Sequence, residues 1–171
     1  GIRKELVELH PDWLLCVGLI ERANQLGDRP IQPGWILRIP TDRVHVLVDL
    51  DAHFMLYMHG EEVVQAWEVG TGKEGEATPL GQFTVGLKQE NPSYMPIGGP
   101  DRPFGHPENP LGTRWMAWHA GGERTGYGFH GTNDPSGVGA SVSNGCVRLR
   151  NEDVEALFEV LPLGAQIVVQ P

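Results

Sequence analysis

Two cysteines in 171 residues are too few for the disulfide lattice that supports small secreted domains. Cys16 and Cys146 do not make the paired-cysteine pattern of a zinc site, and no His-Glu-x-x-His run is present. A single Cys16–Cys146 bridge is disfavoured, because Cys16 lies in the apolar run Trp13-Leu14-Leu15-Cys16-Val17, where a small buried thiol is the ordinary explanation. Positive charge is also scarce. The 13 Lys and Arg stand against 22 Asp and Glu, a net charge of −9 at pH 7, which repels a phosphate backbone and argues against general nucleic-acid binding. The imbalance falls wholly after residue 41, since residues 1–41 carry as many acidic as basic side chains. No apolar run approaches the roughly 20 residues needed to cross a bilayer, and no signal-peptide pattern opens the chain; the expectation is that an export signal was either removed or never existed.

What the chain does contain is enough length for one full domain with a small module beside it. Residues 12–26 read as a helix, with Asp12 as cap and Trp13, Val17, Ile20, Ala23 and Asn24 at helical spacing. A Pro33-Gly34 turn then leads into a short apolar strand, Trp35–Ile39, closed by Pro40. From Arg43 the period changes to two. Val44, Val46 and Val48, then 54–58 and 63–69, predict a β-meander, and Thr78–Val85 predicts a further turn and strand. Gly70-Thr71-Gly72-Lys73-Glu74-Gly75 lacks the Gly-Lys-Ser/Thr ending of a phosphate loop and is expected to be a flexible turn. Residues 89–114, rich in Pro, Gly and Asn, read as a long lid or binding loop. Strands at 115–119 and 127–130 flank Gly121-Gly122. Asn151 is expected to cap a helix with an apolar stripe of Val154, Leu157, Phe158 and Leu161, and 165–169 reads as a last strand.

The chemistry concentrates in Phe129-His130-Gly131-Thr132 and Ser143-Asn144-Gly145-Cys146-Val147-Arg148-Leu149. A thiol, an imidazole and a guanidinium on glycine-flanked segments supply a nucleophile, a base and an anchor for an anionic substrate. A free cysteine has a pKa near ~8.5, so His130 is expected to lower that of Cys146. Glycines at 131, 137, 139 and 145 exclude one helix face, so contact must come from a strand and a long return loop. Gly145 allows close backbone approach, and the amides of Asn144, Gly145 and Cys146 are candidate oxyanion donors. His119 is a competing base, while His10, His45, His53, His59 and His106 are scattered.

His-Gly-Thr, a Gly-rich interval, Ser-x-Gly-Cys-Val-Arg-Leu and then Asn151-x-Asp153-Val154 strongly resemble the L,D-transpeptidase (YkuD) catalytic domain. Thr78-Pro79-x-Gly81-x-Phe83 and Pro110–Trp115 look like secondary signatures of the same family in the same order. This resemblance implies a mainly β domain over 42–171, a β-sandwich or open barrel with a short helix, acting on peptidoglycan stem peptides outside the cytoplasm without metal or cofactor. It makes Cys146 the nucleophile and His130 its base. The Gly131 carbonyl would hold the imidazole tautomer, and Ser143, Asn144, Gly145, Arg148 and Thr132 would serve substrate binding or loop support. For Arg148 a salt bridge to Glu152 or Asp153 is the structural alternative. Position 144 is Asn where many members carry a second histidine, so a mechanism needing that imidazole is closed. Residues 1–41 resemble the second half of a LysM module, a small α+β fold associated with glycan strands, without its opening strand.

Overall fold

The computed structural model describes residues 17–27, 29–38 and 43–171. The expected helix is seen as α1, Val17–Ala23; residues 12–16 lie outside the described part. It stops short of Leu26 because the chain turns at Asn24, whose carboxamide donates to Ile20 O and Arg38 O and accepts from Arg38 N–H. Gln25 follows at φ 52°. No strand forms over 35–38. Trp35 is 45% and Ile36 99% exposed, so the stretch buries no apolar face that would hold it against a sheet.

The period-two stretch becomes β1, Val44–Asp49, with its valines buried and the residues between them half-covered. It is followed by β2 (Phe54–His59), β3 (Glu62–Glu68), β4 (Thr71–Gly72) and β5 (Gly81–Glu90). Then come β6 (Arg114–Ala120), β7 (Glu123–His130), β8 (Ser141–Ser143), β9 (Val147–Arg148), α2 (Asn151–Val160) and β10 (Gln166–Gln170). Eight strands form one sheet in the order β3-β2-β1-β10-β5-β6-β7-β9, and β4 and β8 form a separate pair. The architecture is mainly β, a curled open sheet with a short helix. Pairing is antiparallel except for β1 with β10, β7 with β9 and β4 with β8, which are parallel.

Helix α2 packs against β6 and β7. Val154 and Leu157 join Val46, Met55, Trp118, Phe129, Val147 and Ile167 in a core of fully buried side chains. Trp118 stacks on Phe83 at 5.2 Å and meets Phe129 edge-on at 5.0 Å, geometries favoured by the ring quadrupoles. Lys88 donates to the Phe158 and Leu161 carbonyls at the helix C-terminus and lies over the Phe158 ring. Asn151 does not cap α2. Arg150 stands at the N-cap without a side-chain bond, and the Asn151 carboxamide points elsewhere, as described below.

Candidate active site

Strand alternation decides which side chains meet. Phe129 and Val147 are register partners and both fully buried in the core. Their neighbours in sequence therefore face the opposite side of the sheet: His130 from β7, Arg148 from β9, and Cys146 immediately before it. His130 is paired with Arg148 across the strands. Cys146 stands one pleat back, beside Gly128, or about 7 Å along the strand direction from His130. The parallel β7–β9 pair thus brings together two residues separated by a long return loop. Cys146 is half-buried and a free thiol; among the described residues no hydrogen bond links it directly to His130.

His130 is 3% exposed and pairs with Trp115 on β6, ring centroids 6.0 Å apart. Its Nδ1–H donates to the Gly131 carbonyl at 2.6 Å, which leaves the Nε2 lone pair available on the other side of the ring. Burial lowers its pKa to about 4, against a raising effect of the Gly131 bond and with a further lowering from the Arg148 charge. Burial likewise pushes the Cys146 thiol up, while a hydrogen bond with the Gly128 main chain and the Arg148 guanidinium pull it down. Burial thus works against the charged form of both groups, so a neutral imidazole and a neutral thiol are the forms this environment favours.

The loop carrying the thiol is held from behind. Ser143, 1% exposed, donates from Oγ to the Cys146 carbonyl at 2.5 Å and accepts from the Gly145 N–H at 3.1 Å. Gly145 has φ 102°, and a Cβ there would fall 2.5 Å from Tyr127 Cε1. The Gly145 amide is thus occupied by Ser143, which narrows the candidate oxyanion donors to Asn144 and Cys146. Asn144 is exposed and accepts from Lys73 Nζ at 2.8 Å. Lys73 belongs to the segment read as a flexible turn, and that reading is corrected. Thr71–Gly72 pairs with Ser141–Ser143, and Gly70 exchanges main-chain bonds with Arg148 at 2.8 Å in both directions. No motif signalled this role; two-residue strands leave no periodicity to read.

Arg148 makes no ion pair among the described residues, and its buried Nε has no partner. The bridge expected of it belongs to Arg150, which meets Glu68 at 2.6 Å and Asp153 at 3.8 Å. Thr132 is 3% exposed, and its hydroxyl donates to the Asp134 carbonyl and accepts from the Asp134 N–H, each at 3.0 Å. It shapes the turn after His130, which is the loop-support part of the role expected of it. His119, the competing base, pairs with Arg124 at the far end of the hairpin. It stands four residues from Trp115, about 13 Å away along β6, with its ring lying against Gly86. Among the described residues no cluster of His, Cys, Asp or Glu could hold a metal ion.

The 91–113 loop is more organised than its composition suggests. Asn109, 5% exposed, donates to the carbonyls of Pro92, Arg102 and Pro103 and accepts from Leu111 N–H. Tyr94 and Arg102 bridge its two limbs. Asn133, just after His130, reaches Pro107 O at 2.8 Å, so the loop is tied to the base's own turn. Asn151, read from sequence as a cap, is the functional-site residue that periodicity misplaced. Its Oδ1 accepts from Thr113 N–H and Thr132 N–H, and its Nδ2 donates to Thr132 O.

Residues 43–169 match the family described as YkuD, L,D-transpeptidase catalytic domain. The Bacillus subtilis (strain 168) protein "Putative L,D-transpeptidase YqjB" is 38% identical over 149 residues, covering 84% of this chain and 76% of that protein. The Bacillus licheniformis protein "Putative L,D-transpeptidase YkuD" is 31% identical over 170 residues, covering 99% and 87%. Among solved structures, a cysteine-to-serine mutant of the Enterococcus faecium L,D-transpeptidase superposes with a TM-score of 0.60 at 21% identity, over 79% of this chain and 55% of that one. That likeness concerns the fold, and the chain spans a little over half of the solved protein. The ordered motifs, the curled sheet and the family match over 43–169 converge: this chain belongs to the L,D-transpeptidase (YkuD) family.

Proposed function

We propose that this protein is a cysteine-dependent L,D-transpeptidase of peptidoglycan, forming 3→3 cross-links between stem peptides. The observation that carries this reading is the His130 Nδ1–H to Gly131 O bond, which frees Nε2 on the face shared with the half-exposed Cys146. In the first step Nε2 accepts the thiol proton as Sγ attacks the carbonyl joining the third stem residue, a diamino acid at its L-centre, to the terminal D-alanine. The oxyanion is held by the main-chain N–H groups of Asn144 and Cys146, donors whose value lies in being fixed before the reaction. The protonated imidazole then gives its proton to the departing D-alanine amine, and a thioester remains on Cys146. In the second step the side-chain amine of a neighbouring stem attacks the thioester, His130 takes its proton, and the thiol is regenerated. Arg148, which makes no ion pair among the described residues, is the candidate to pair with a stem-peptide carboxylate.

With water as acceptor the same centre becomes an L,D-carboxypeptidase, and the 91–113 loop is where water exclusion would be set. The substrate places the working protein outside the cytoplasmic membrane, in the cell wall. The domain division falls at residues 41 and 42, and the described part of the segment ahead of the catalytic domain, 42–171, serves as a packing spacer; burial of Ile20 and Leu26 supports this role.

A carbapenem tests the reading, because its strained amide is an acyl donor for a competent thiol. Intact mass should rise by one acyl group in the wild type and not in Cys146→Ala. Purified peptidoglycan should then yield 3→3 dimers; tetrapeptides trimmed to tripeptides without dimers would mean the carboxypeptidase. Absence of any adduct alongside strong retention on peptidoglycan would mean a non-catalytic wall-binding protein.

A further inference from the structure

Asn151 lies on the first turn of α2, yet all of its carboxamide bonds leave the helix. Oδ1 accepts from Thr132 N–H at 3.1 Å and from Thr113 N–H at 3.2 Å, and Nδ2 donates to Thr132 O at 3.0 Å. Two glycines from separate segments make room for it. A Cβ at Gly131, or at Gly112 with its φ of 62°, would come within 2.2 Å of the same Oδ1. The Thr132 N–H that Asn151 holds and the Gly131 C=O that accepts from His130 belong to one planar peptide unit. Fixing one edge of that plane fixes the other. A rotation that released Thr132 N–H would also swing the Gly131 carbonyl off the imidazole.

From this geometry we propose that Asn151 is a positioning residue. It sets the Gly131–Thr132 peptide plane so that His130 carries its proton on Nδ1, and it joins that setting to the root of the 91–113 loop through Thr113. The proposal rests on the reading of His130 as the base. The loop is thereby held at both the base's turn, through Asn133, and the base's peptide plane, through Asn151, so a displacement of Thr113 is felt at the imidazole without any contact between loop and ring.

The test compares wild type, Asn151→Ala, Asn151→Asp and Gly112→Ala by two readouts. One is the rate and apparent affinity of carbapenem acylation from pH 3.5 to 8. The other is the His130 tautomer, read from ring nitrogen shifts. Asn151→Ala should slow maximal acylation about 10- to 100-fold with apparent affinity changed less than threefold. It should also convert His130 from the single Nδ1–H form to a mixture. Asn151→Asp keeps both acceptor bonds and should recover most of the rate, with an acid limb moved to higher pH by the added carboxylate. Gly112→Ala approaches the same carboxamide from the loop side and should produce the same tautomer mixture. If Asn151→Ala does not fold, Asn151→Asp and Gly112→Ala carry the test. An unchanged tautomer in every folded variant, or acylation lost only in proportion to the unfolded fraction, overturns the proposal. If the wild type itself is not acylated, the transpeptidase reading fails, while the tautomer measurement still decides the role of Asn151.

Discussion

Burial of His130 fixes the sign of two pH effects. With its pKa near 4 in the folded chain against about 6.5 when unfolded, the unfolded state binds the extra proton between those values, so stability is fully present above pH 6.5 and is lost as pH falls toward 4. The loss at pH 4 should be about 3 kcal/mol, measurable by urea titration and absent in His130→Gln. The same pKa keeps the base neutral through the mildly acidic range, so the acylation rate should show an acid limb near pH 4 and not near 6.5. Ser143→Ala should leave the Gly145 N–H unpaired in a buried site, costing about 1–3 kcal/mol and loosening the thiol loop, with slower acylation as the readout. That the His130 and Cys146 segments meet was legible because the glycines between them exclude a helix and require a strand and return loop, which the β7–β9 pair supplies. The upward push of burial on the thiol was not legible, since burial depends on neighbours that arrive from distant positions.

At the scale of elements, β1, β2, β6, β7, α2 and β10 could be read from alternation or helical spacing, because each buries one face against a common core. The β4–β8 pair and β9 could not. They are too short to carry a pattern: β4 and β8 exist because the Gly70–Gly72 main chain lies along Ser141–Ser143, and β9 because Val147–Arg148 lies along Phe129–His130. Asn151 was misread for a related reason: a polar residue at a helix start has a strong local explanation, and nothing in its neighbours reports that Thr113 and Thr132 compete for its carboxamide. The loop between β5 and β6 depends on Asn109 in the same way. Asn109→Ala should raise amide exchange across 92–111 and open the loop to limited proteolysis. The melting temperature should change little, because the loop lies outside the core.

For the molecule as a whole, the family motifs fixed the sheet-and-helix class, and the charge balance removed nucleic acid from consideration. The relation of the N-terminal segment to the rest was not legible, because its contacts are scattered. Helix α1 packs on α2, Ile20 is 2% exposed, and Arg22 bonds to Gln65 on β3. If the two parts unfold as one unit, Ile20→Ala should lower the single denaturation midpoint by an amount worth about 2–4 kcal/mol; a split transition would show a separate module.

Strand β10 lies between β1 and β5, so residues 166–170 are the seam joining the first-made hairpins to the half of the sheet that bears Cys146 and His130. Without that stretch in place the sheet would be two pieces with raw edges, β3-β2-β1 on one side and β5-β6-β7-β9 on the other. A substitution that unseats Ile167 or Val169, both buried, therefore acts on both halves at once.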